Sequence, residues 1–160
     1  MSIKVGDRLP ETKFRIMTPE GPAWKTTDEI FKGKKVALFA VPGAFTGTCH
    51  KMHVPSILQS ADAIKAKGVD TIAVTSVNDV FVMDAWKKAT AADKIEFLAD
   101  GNGEFAKALD LSFDGSGNGL GTRSKRYSML VEDGVVKKLN IEESPGKVEV
   151  SGGDALLKQL

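Results

Sequence analysis

The sequence predicts an α/β fold with a central mixed sheet flanked by helices, and three observations carry that expectation. Apolar, β-branched runs at 35–41, 70–77 and 95–99 are each followed by a segment with helical spacing of its apolar residues. Such alternation of strand and helix implies parallel strands. The stretch from Tyr127 to Ile141 departs from it, because two strand-like runs meet there at Asp133-Gly134, a pair favoured in hairpin turns. An antiparallel pair added to a parallel set makes the sheet mixed.

Each element has its own signal. Lys35 to Val41 is a continuous apolar run closed by Pro42 and Gly43, the pattern of a strand buried on both faces. Beyond it Val54, Ile57, Leu58, Ala61 and Ile64 recur at three- and four-residue spacing up to Gly68, which predicts a helix that begins near Thr48 and stops at the glycine. Pro55 lies inside that pattern and predicts a kink about one turn beyond the start. Asp70 to Val77 reads as the next strand. Asn78-Asp79 then offers a helix cap, and Val80 to Ala91 a second helix in which Phe81, Met83 and Trp86 are mainly core. Ile95 to Ala99 makes a third strand, Glu104 to Leu109 a short helix, and Gly153 to Leu160 a closing helix. This order matches a thioredoxin-like layout with an additional central unit. The glycine-rich Asp114 to Gly121 fits no element and is expected to be a mobile surface loop.

A chain of 160 residues is expected to form one domain, 1–160. A formal charge of +1 with no block of like charges gives no electrostatic footprint for nucleic acid. No apolar run approaches the roughly 18 to 20 residues that a membrane-spanning helix needs. The amino terminus lacks an apolar core followed by a small-residue cleavage site, so a cytoplasmic protein is expected. One cysteine, Cys49, forms no intrachain disulfide, which fits a reducing compartment and leaves a single thiol to be explained.

That thiol lies in Pro42-Gly-Ala-Phe-Thr-Gly-Thr-Cys49, which runs from the end of a core strand into the first turn of a helix. Unpaired backbone N–H groups and the helix dipole favour negative charge at such a place, and the thiolate is the reactive form of cysteine. A lone cysteine is more often a small buried hydrophobe; the location reverses that preference here. Thr46 carries a hydroxyl three residues before the sulfur, able to accept from the thiol or donate to a molecule bound beside it, although a threonine near a helix start is ordinarily a cap.

Pro42-x-x-x-Thr46-x-x-Cys49 resembles the active-site signature of the peroxiredoxins, and Val41-Pro-Gly-Ala-Phe-Thr46 with His53-Val-Pro55 is similar to the type II, or peroxiredoxin-5-like, branch. Lys4-Val-Gly-Asp7, Phe31-Lys-Gly-Lys-Lys35, Ser76-Val-Asn-Asp79, Phe97-Leu-Ala-Asp100, Arg123-Ser-Lys-Arg-Tyr127 and Val131-Glu-Asp-Gly134 extend the resemblance from end to end. It implies a thiol-dependent peroxidase acting on hydrogen peroxide and organic hydroperoxides. Cys49 falls on the peroxidatic cysteine, Thr46 on the motif threonine that positions the peroxide, Pro42 on the proline that shields the sulfur, and Arg126 on the strand arginine that stabilises charge. Arg123 competes for that last role, and Arg126 is preferred because it matches the family's Arg-aromatic pair. The resemblance also implies a homodimer, and glutathione with glutaredoxin, or thioredoxin, as reductant. Three departures stand out: Gly47 replaces a proline after the motif threonine, Ser56 replaces a glycine after Pro55, and no second cysteine exists, the branch's alternative position being Val74 here. A sulfenic acid at Cys49 then needs an outside thiol.

Other readings of the same residues are weaker. Cys49, His50 and His53 invite a metal site, but a closed zinc site takes four ligands and no second Cys/His cluster exists, so no metal or other cofactor is expected. A Cys-His hydrolase draws its imidazole and an orienting group from separate elements, and His53 is better read as packing or hydrogen-bonding near the site. Met52 stands where a dithiol oxidoreductase has its second cysteine. The rival from another class is a peroxide sensor or redox-regulated chaperone with little turnover.

Overall fold

The computed structural model describes residues 2–160. Its main sheet has seven strands: β1 (Lys13–Thr18), β2 (Gly21–Thr26), β3 (Lys35–Ala40), β4 (Thr71–Ser76), β5 (Glu96–Ala99), β8 (Tyr127–Glu132) and β9 (Val135–Ile141), in spatial order β2-β1-β5-β4-β3-β8-β9. The β3–β4 and β4–β5 pairs are parallel and the others antiparallel, so the sheet is mixed as the sequence predicts. Alternation sorts β3 between two cores. Ala37 and Phe39 face a cluster with Val54, Ile57, Ile64, Met83 and Trp86. Val36, Leu38 and Ala40 face one with Phe14, Phe31, Phe105 and Met129. With both faces covered, β3 has no polar side to display.

The helices are α1 (Thr27–Phe31), α2 (Val54–Ala66), α3 (Val80–Ala89), α4 (Glu104–Ala108) and α5 (Gly153–Leu157). Asp79 caps α3 by accepting from the Val82 amide at 2.8 Å, and Thr26 with Glu29 forms a capping box on α1. Between Thr48 and α2, where the sequence predicts a helix start and a proline kink, Cys49–His53 forms a π-helical turn closed by the Val54 amide on the Cys49 carbonyl. Pro55 is at the start of α2 proper, where a missing N–H costs nothing. The change of helix type therefore falls just ahead of the proline.

Three expectations change. The hairpin β1–β2 and the short α1 have no counterpart in the sequence reading: Pro22 inside the second run marks it as no strand, yet β2 is a sheet edge, where a missing donor is tolerated. Phe81 is 65% exposed and not core, while Met83 and Trp86 are buried as predicted. The glycine-rich segment is the turn of a small hairpin, β6 (Ser112–Asp114) against β7 (Thr122–Ser124), tied by the Gly115 amide on the Gly121 carbonyl at 2.6 Å.

Packing of α5 on α2 brings the closing segment over the start of the helix that carries the thiol. A Cβ at Gly153 would lie 2.6 Å from the Ser56 carbonyl oxygen, so the approach requires glycine. Ser56 donates to the His53 carbonyl at 2.7 Å and accepts from the Gly153 amide at 3.1 Å. The departure from glycine at this position thus adds a polar link between the two helices.

Candidate active site

β3 ends at Ala40, and residues 41–48 carry the chain across the end of the sheet to the π-helical turn. Side-chain bonds fix this crossing. The Ala44 amide donates to Asn78 Oδ1 at 2.9 Å, and the Thr46 hydroxyl donates to the Gly43 carbonyl at 2.7 Å. A Cβ at Gly43 would lie 2.8 Å from Arg123 Nη1 and 2.9 Å from Thr46 Cγ2, so a larger residue would displace both side chains. Phe45 has φ of 60°, a left-handed conformation that is strained for an aromatic residue, and its ring stacks on His50 at 5.7 Å. His50 Nδ1 in turn accepts from the Trp86 indole N–H at 2.9 Å. A buried tryptophan thereby holds the outer side of the crossing.

Cys49 is 1% exposed, and its Sγ accepts from Arg126 Nη2 at 3.0 Å. Arg126, the residue just before β8, is itself 2% exposed. Its Nε and Nη2 both donate to the Pro145 carbonyl, at 3.0 and 2.9 Å, and its Nη1 donates to His53 Nδ1 at 2.8 Å. No carboxylate of the described residues forms an ion pair with it. Enclosing an uncompensated cation is costly, and the one partner here able to become an anion is the Cys49 sulfur.

Because a guanidinium only donates, His53 Nδ1 must accept, which leaves Nε2–H to donate to the Ser151 carbonyl at 2.8 Å. The ring is neutral. Burial, reinforced by the Arg126 charge, pushes its pKa down from 6.5 to about 4. Ser151 belongs to the segment between β9 and α5, and that segment is folded around one carboxylate. Glu142 Oε2 accepts from the amides of Glu149, Val150 and Ser151, each at 2.8 Å, and from the Ser151 hydroxyl at 2.6 Å. Burial alone raises the Glu142 pKa, but these four donors outweigh it and hold the carboxyl below its ordinary value.

All four predicted residues lie at this end of the sheet. Of the two arginines, Arg126 reaches the sulfur. Arg123 is half-buried in β7, and is no freely solvated side chain: its Nη1 donates to the Pro42 carbonyl at 3.3 Å and its Nε to the Leu120 carbonyl at 2.9 Å. Pro42 is buried beneath it, and Thr46 is half-buried on the rim. With its hydrogen committed to Gly43, the Thr46 hydroxyl retains its capacity as an acceptor. His53 is hydrogen-bonded near the site, as expected. Glu142, Pro145 and Ser151 are absent from the sequence reading, and nothing in their local sequence marks them: a glutamate at the end of an edge strand reads as solvated.

Known proteins resemble this chain in both sequence and fold. The family model described as Redoxin matches residues 4–157. Peroxiredoxin-2E, chloroplastic, of Arabidopsis thaliana is 46% identical, the alignment covering 99% of this chain and 70% of the relative. Peroxiredoxin-2C of Oryza sativa subsp. japonica is 45% identical, over 99% of this chain and 98% of the relative. The crystal structure of reduced Prx3 from Vibrio vulnificus in complex with hydrogen peroxide superposes with a TM-score of 0.94 at 48% identity, covering 98% of each chain. A 1-Cys peroxiredoxin of Plasmodium falciparum superposes with a TM-score of 0.91 at 27% identity over 98% of each chain. A thiol enclosed with an arginine at the end of a mixed sheet, in a chain this similar to these proteins over nearly its whole length, leads to one conclusion: the chain belongs to the Redoxin family and, within it, to the peroxiredoxins.

Proposed function

We propose that the thiol-dependent peroxidase activity of this family runs here through Cys49 alone, with Arg126, Thr46 and Pro42 as its immediate machinery in a single domain, 1–160. The observation that carries the assignment is the 3.0 Å contact between Cys49 Sγ and a buried guanidinium that has no carboxylate partner among the described residues. The thiolate attacks one oxygen of the hydroperoxide; an S–O bond forms as the O–O bond breaks, and hydroxide or alkoxide leaves and is protonated to water or alcohol. Arg126 lies where negative charge moves from sulfur to the departing oxygen, and a fixed donor aimed at developing charge lowers the barrier. Thr46 orients the peroxide by accepting its O–H, and Pro42 keeps water from the sulfur.

The sulfenic acid left on Cys49 has no partner thiol in this chain. An outside thiol therefore attacks it, releasing water and forming a mixed disulfide, and a second outside thiol reduces that to regenerate Cys49. Glutathione with glutaredoxin, or thioredoxin, are the proposed donors, and hydrogen peroxide, the ligand of the Vibrio vulnificus structure, and organic hydroperoxides the substrates. A homodimer is proposed as well, supported by the exposed aromatics Phe45 and Phe81, 48% and 65% accessible; light scattering on the purified protein tests it. No helix of the described residues is long and apolar enough to cross a membrane. A cytoplasmic location is proposed from the single unpaired thiol, which fits a reducing compartment; relatives include chloroplastic and mitochondrial proteins.

The test is steady-state consumption of hydrogen peroxide and an alkyl hydroperoxide with each donor in parallel, for wild type and Cys49→Ser. Turnover with at least one donor, lost in the variant, is expected. Residual turnover in Cys49→Ser would falsify the assignment, and a single oxidation of the wild type with no turnover by any donor would transfer it to the sensor reading.

A further inference from the structure

A guanidinium has five N–H groups, and its usefulness depends on which way they point. In this site no carboxylate clamps Arg126. Two acceptors orient it instead: the Pro145 carbonyl, which takes Nε and Nη2, and the imidazole of His53, which takes Nη1. With those positions filled, the remaining N–H of Nη2 is directed at Cys49 Sγ. Both acceptors depend on one segment. Pro145 lies in it, and His53 is held by the Ser151 carbonyl at its far end. Glu142 closes the segment on itself through three amides and a hydroxyl, and Thr48 ties it to the residue before the thiol by donating to the Gly146 carbonyl at 3.2 Å.

We propose that His53 is a positioning residue for the peroxide step, setting the direction of Arg126 toward Cys49 and the leaving oxygen, and that Glu142 acts through it by fixing Ser151. The inference rests on the peroxidase reading above. Its physical content is directional. His53 must be an acceptor on the Arg126 side and a donor on the Ser151 side, a division that a neutral imidazole supplies with one ring. Phe39 packs against the ring in a T-shaped contact, at 5.9 Å between ring centroids. A displaced guanidinium loses alignment with the transition state more than it loses contact with the resting sulfur, and misplacement by about 1 Å can cost on the order of 100-fold in rate.

Two isosteric replacements separate this role from packing. In His53→Asn a side-chain oxygen takes the place of Nδ1 and accepts from Arg126 but leaves the Ser151 carbonyl unpaired. In His53→Gln the amide reaches the place of Nε2 and donates to Ser151 but leaves Arg126 without its acceptor. Two rates of the pre-reduced protein are measured for wild type, both variants and His53→Leu. One is oxidation of Cys49 by hydrogen peroxide. The other is alkylation by iodoacetamide, which expels iodide and no oxyanion, and each is taken at a pH where it no longer rises.

The expected result is a fall of roughly 100-fold in oxidation for His53→Leu and His53→Gln, recovery to within about tenfold of wild type in His53→Asn, and alkylation changed by less than about tenfold throughout. Oxidation rates within about twofold of wild type in all three variants, or His53→Gln faster than His53→Asn, overturn the proposal, as does an equal fall in both reactions. Glu142→Ala tests the relay: its effect on oxidation should be largely absent in a His53→Leu background, and full additivity removes Glu142 from the pathway. A wild type that consumes no peroxide removes the peroxidase reading and this inference with it. An active wild type with indifferent His53 variants removes this inference alone.

Discussion

Two short segments frame Cys49, and they are built on opposite principles. Residues 41–48 are held by many small anchors: Asn78 on the Ala44 amide, the Thr46 hydroxyl on Gly43, Arg123 on Pro42, and Phe45 stacked on His50. The segment from Glu142 to Ser151 is held chiefly by one carboxylate that gathers four donors. Each segment is coupled to the thiol helix by a histidine. His50 faces outward and ties the first segment to Trp86, and His53 faces inward and ties Arg126 to the second. Distributed anchoring tolerates the loss of any one contact, whereas anchoring through a single carboxylate and a single imidazole does not.

The largest effect should separate the two arginines. Arg126→Ala is expected to slow peroxide consumption by roughly 100- to 1,000-fold, whereas Arg123→Ala, which loses only carbonyl contacts on the distributed side, should stay within about tenfold. Stopped-flow oxidation of the pre-reduced proteins measures both, and a crippled Arg123→Ala beside a normal Arg126→Ala would reverse the assignment.

Acid should find the second segment first. The His53 pKa of about 4 in the folded protein lies below its ordinary 6.5, so as pH falls below 6.5 the unfolded chain takes up a proton that the folded one refuses. Stability is therefore lost between pH 6.5 and 4, by about 3 kcal/mol in all, and this contribution levels off below pH 4. Urea unfolding at intervals across that range should show the slope in the wild type and a much shallower one in His53→Leu; equal slopes refute the link to His53.

On the distributed side the effects should be smaller. Trp86→Phe keeps an aromatic ring but removes the donor to His50 and leaves a cavity where the rest of the buried indole stood, and a loss of about 2 kcal/mol in unfolding free energy is expected, with the peroxide rate within about tenfold of wild type. Gly47 is exposed, with open space where a Cβ would stand and no positive φ. Gly47→Pro should therefore stabilise the protein by about 0.4 to 1 kcal/mol, chiefly by restricting the unfolded chain. A destabilised Gly47→Pro in thermal unfolding would show that the crossing uses the freedom of glycine.

The contrast between the segments also explains what could be read from the sequence. Pro42, Thr46 and Cys49 lie within one short stretch, so their spacing displays the site directly, and β3 is legible because burial on both faces leaves no polar residue from Val36 to Ala40. Arg126 is distinguishable from Arg123 only through resemblance, since alternation along a strand does not tell which side meets a helix start. Glu142 and Ser151 are illegible: the His53–Ser151 bond spans 98 residues, and its acceptor is a backbone carbonyl, which any residue provides. The π-helical turn escapes for a related reason, since apolar spacing reports which face is buried and not whether a carbonyl accepts from the fourth or the fifth residue on. The first hairpin escapes because the one large apolar residue of β2, Trp24, lies outside beneath Lys13 and Arg15 at 4.4 and 4.8 Å, so β2 shows no apolar face in its alternation.

The buried guanidinium also makes the closed shape of the site depend on the redox state of the sulfur. While Cys49 is a thiolate, enclosing Arg126 brings two opposite charges together and favours a shut site. Once the sulfur is in a disulfide with an outside thiol it carries no charge, and the same enclosure strands a cation in a poor solvent. Loosening of the π-helical turn and the Glu142–Ser151 segment is then opposed less, at the stage when a second thiol must reach a sulfur that is 1% exposed in the resting protein. On the mechanism proposed above, the arginine would act as a spring latch, set by an ionised sulfur and released by its oxidation.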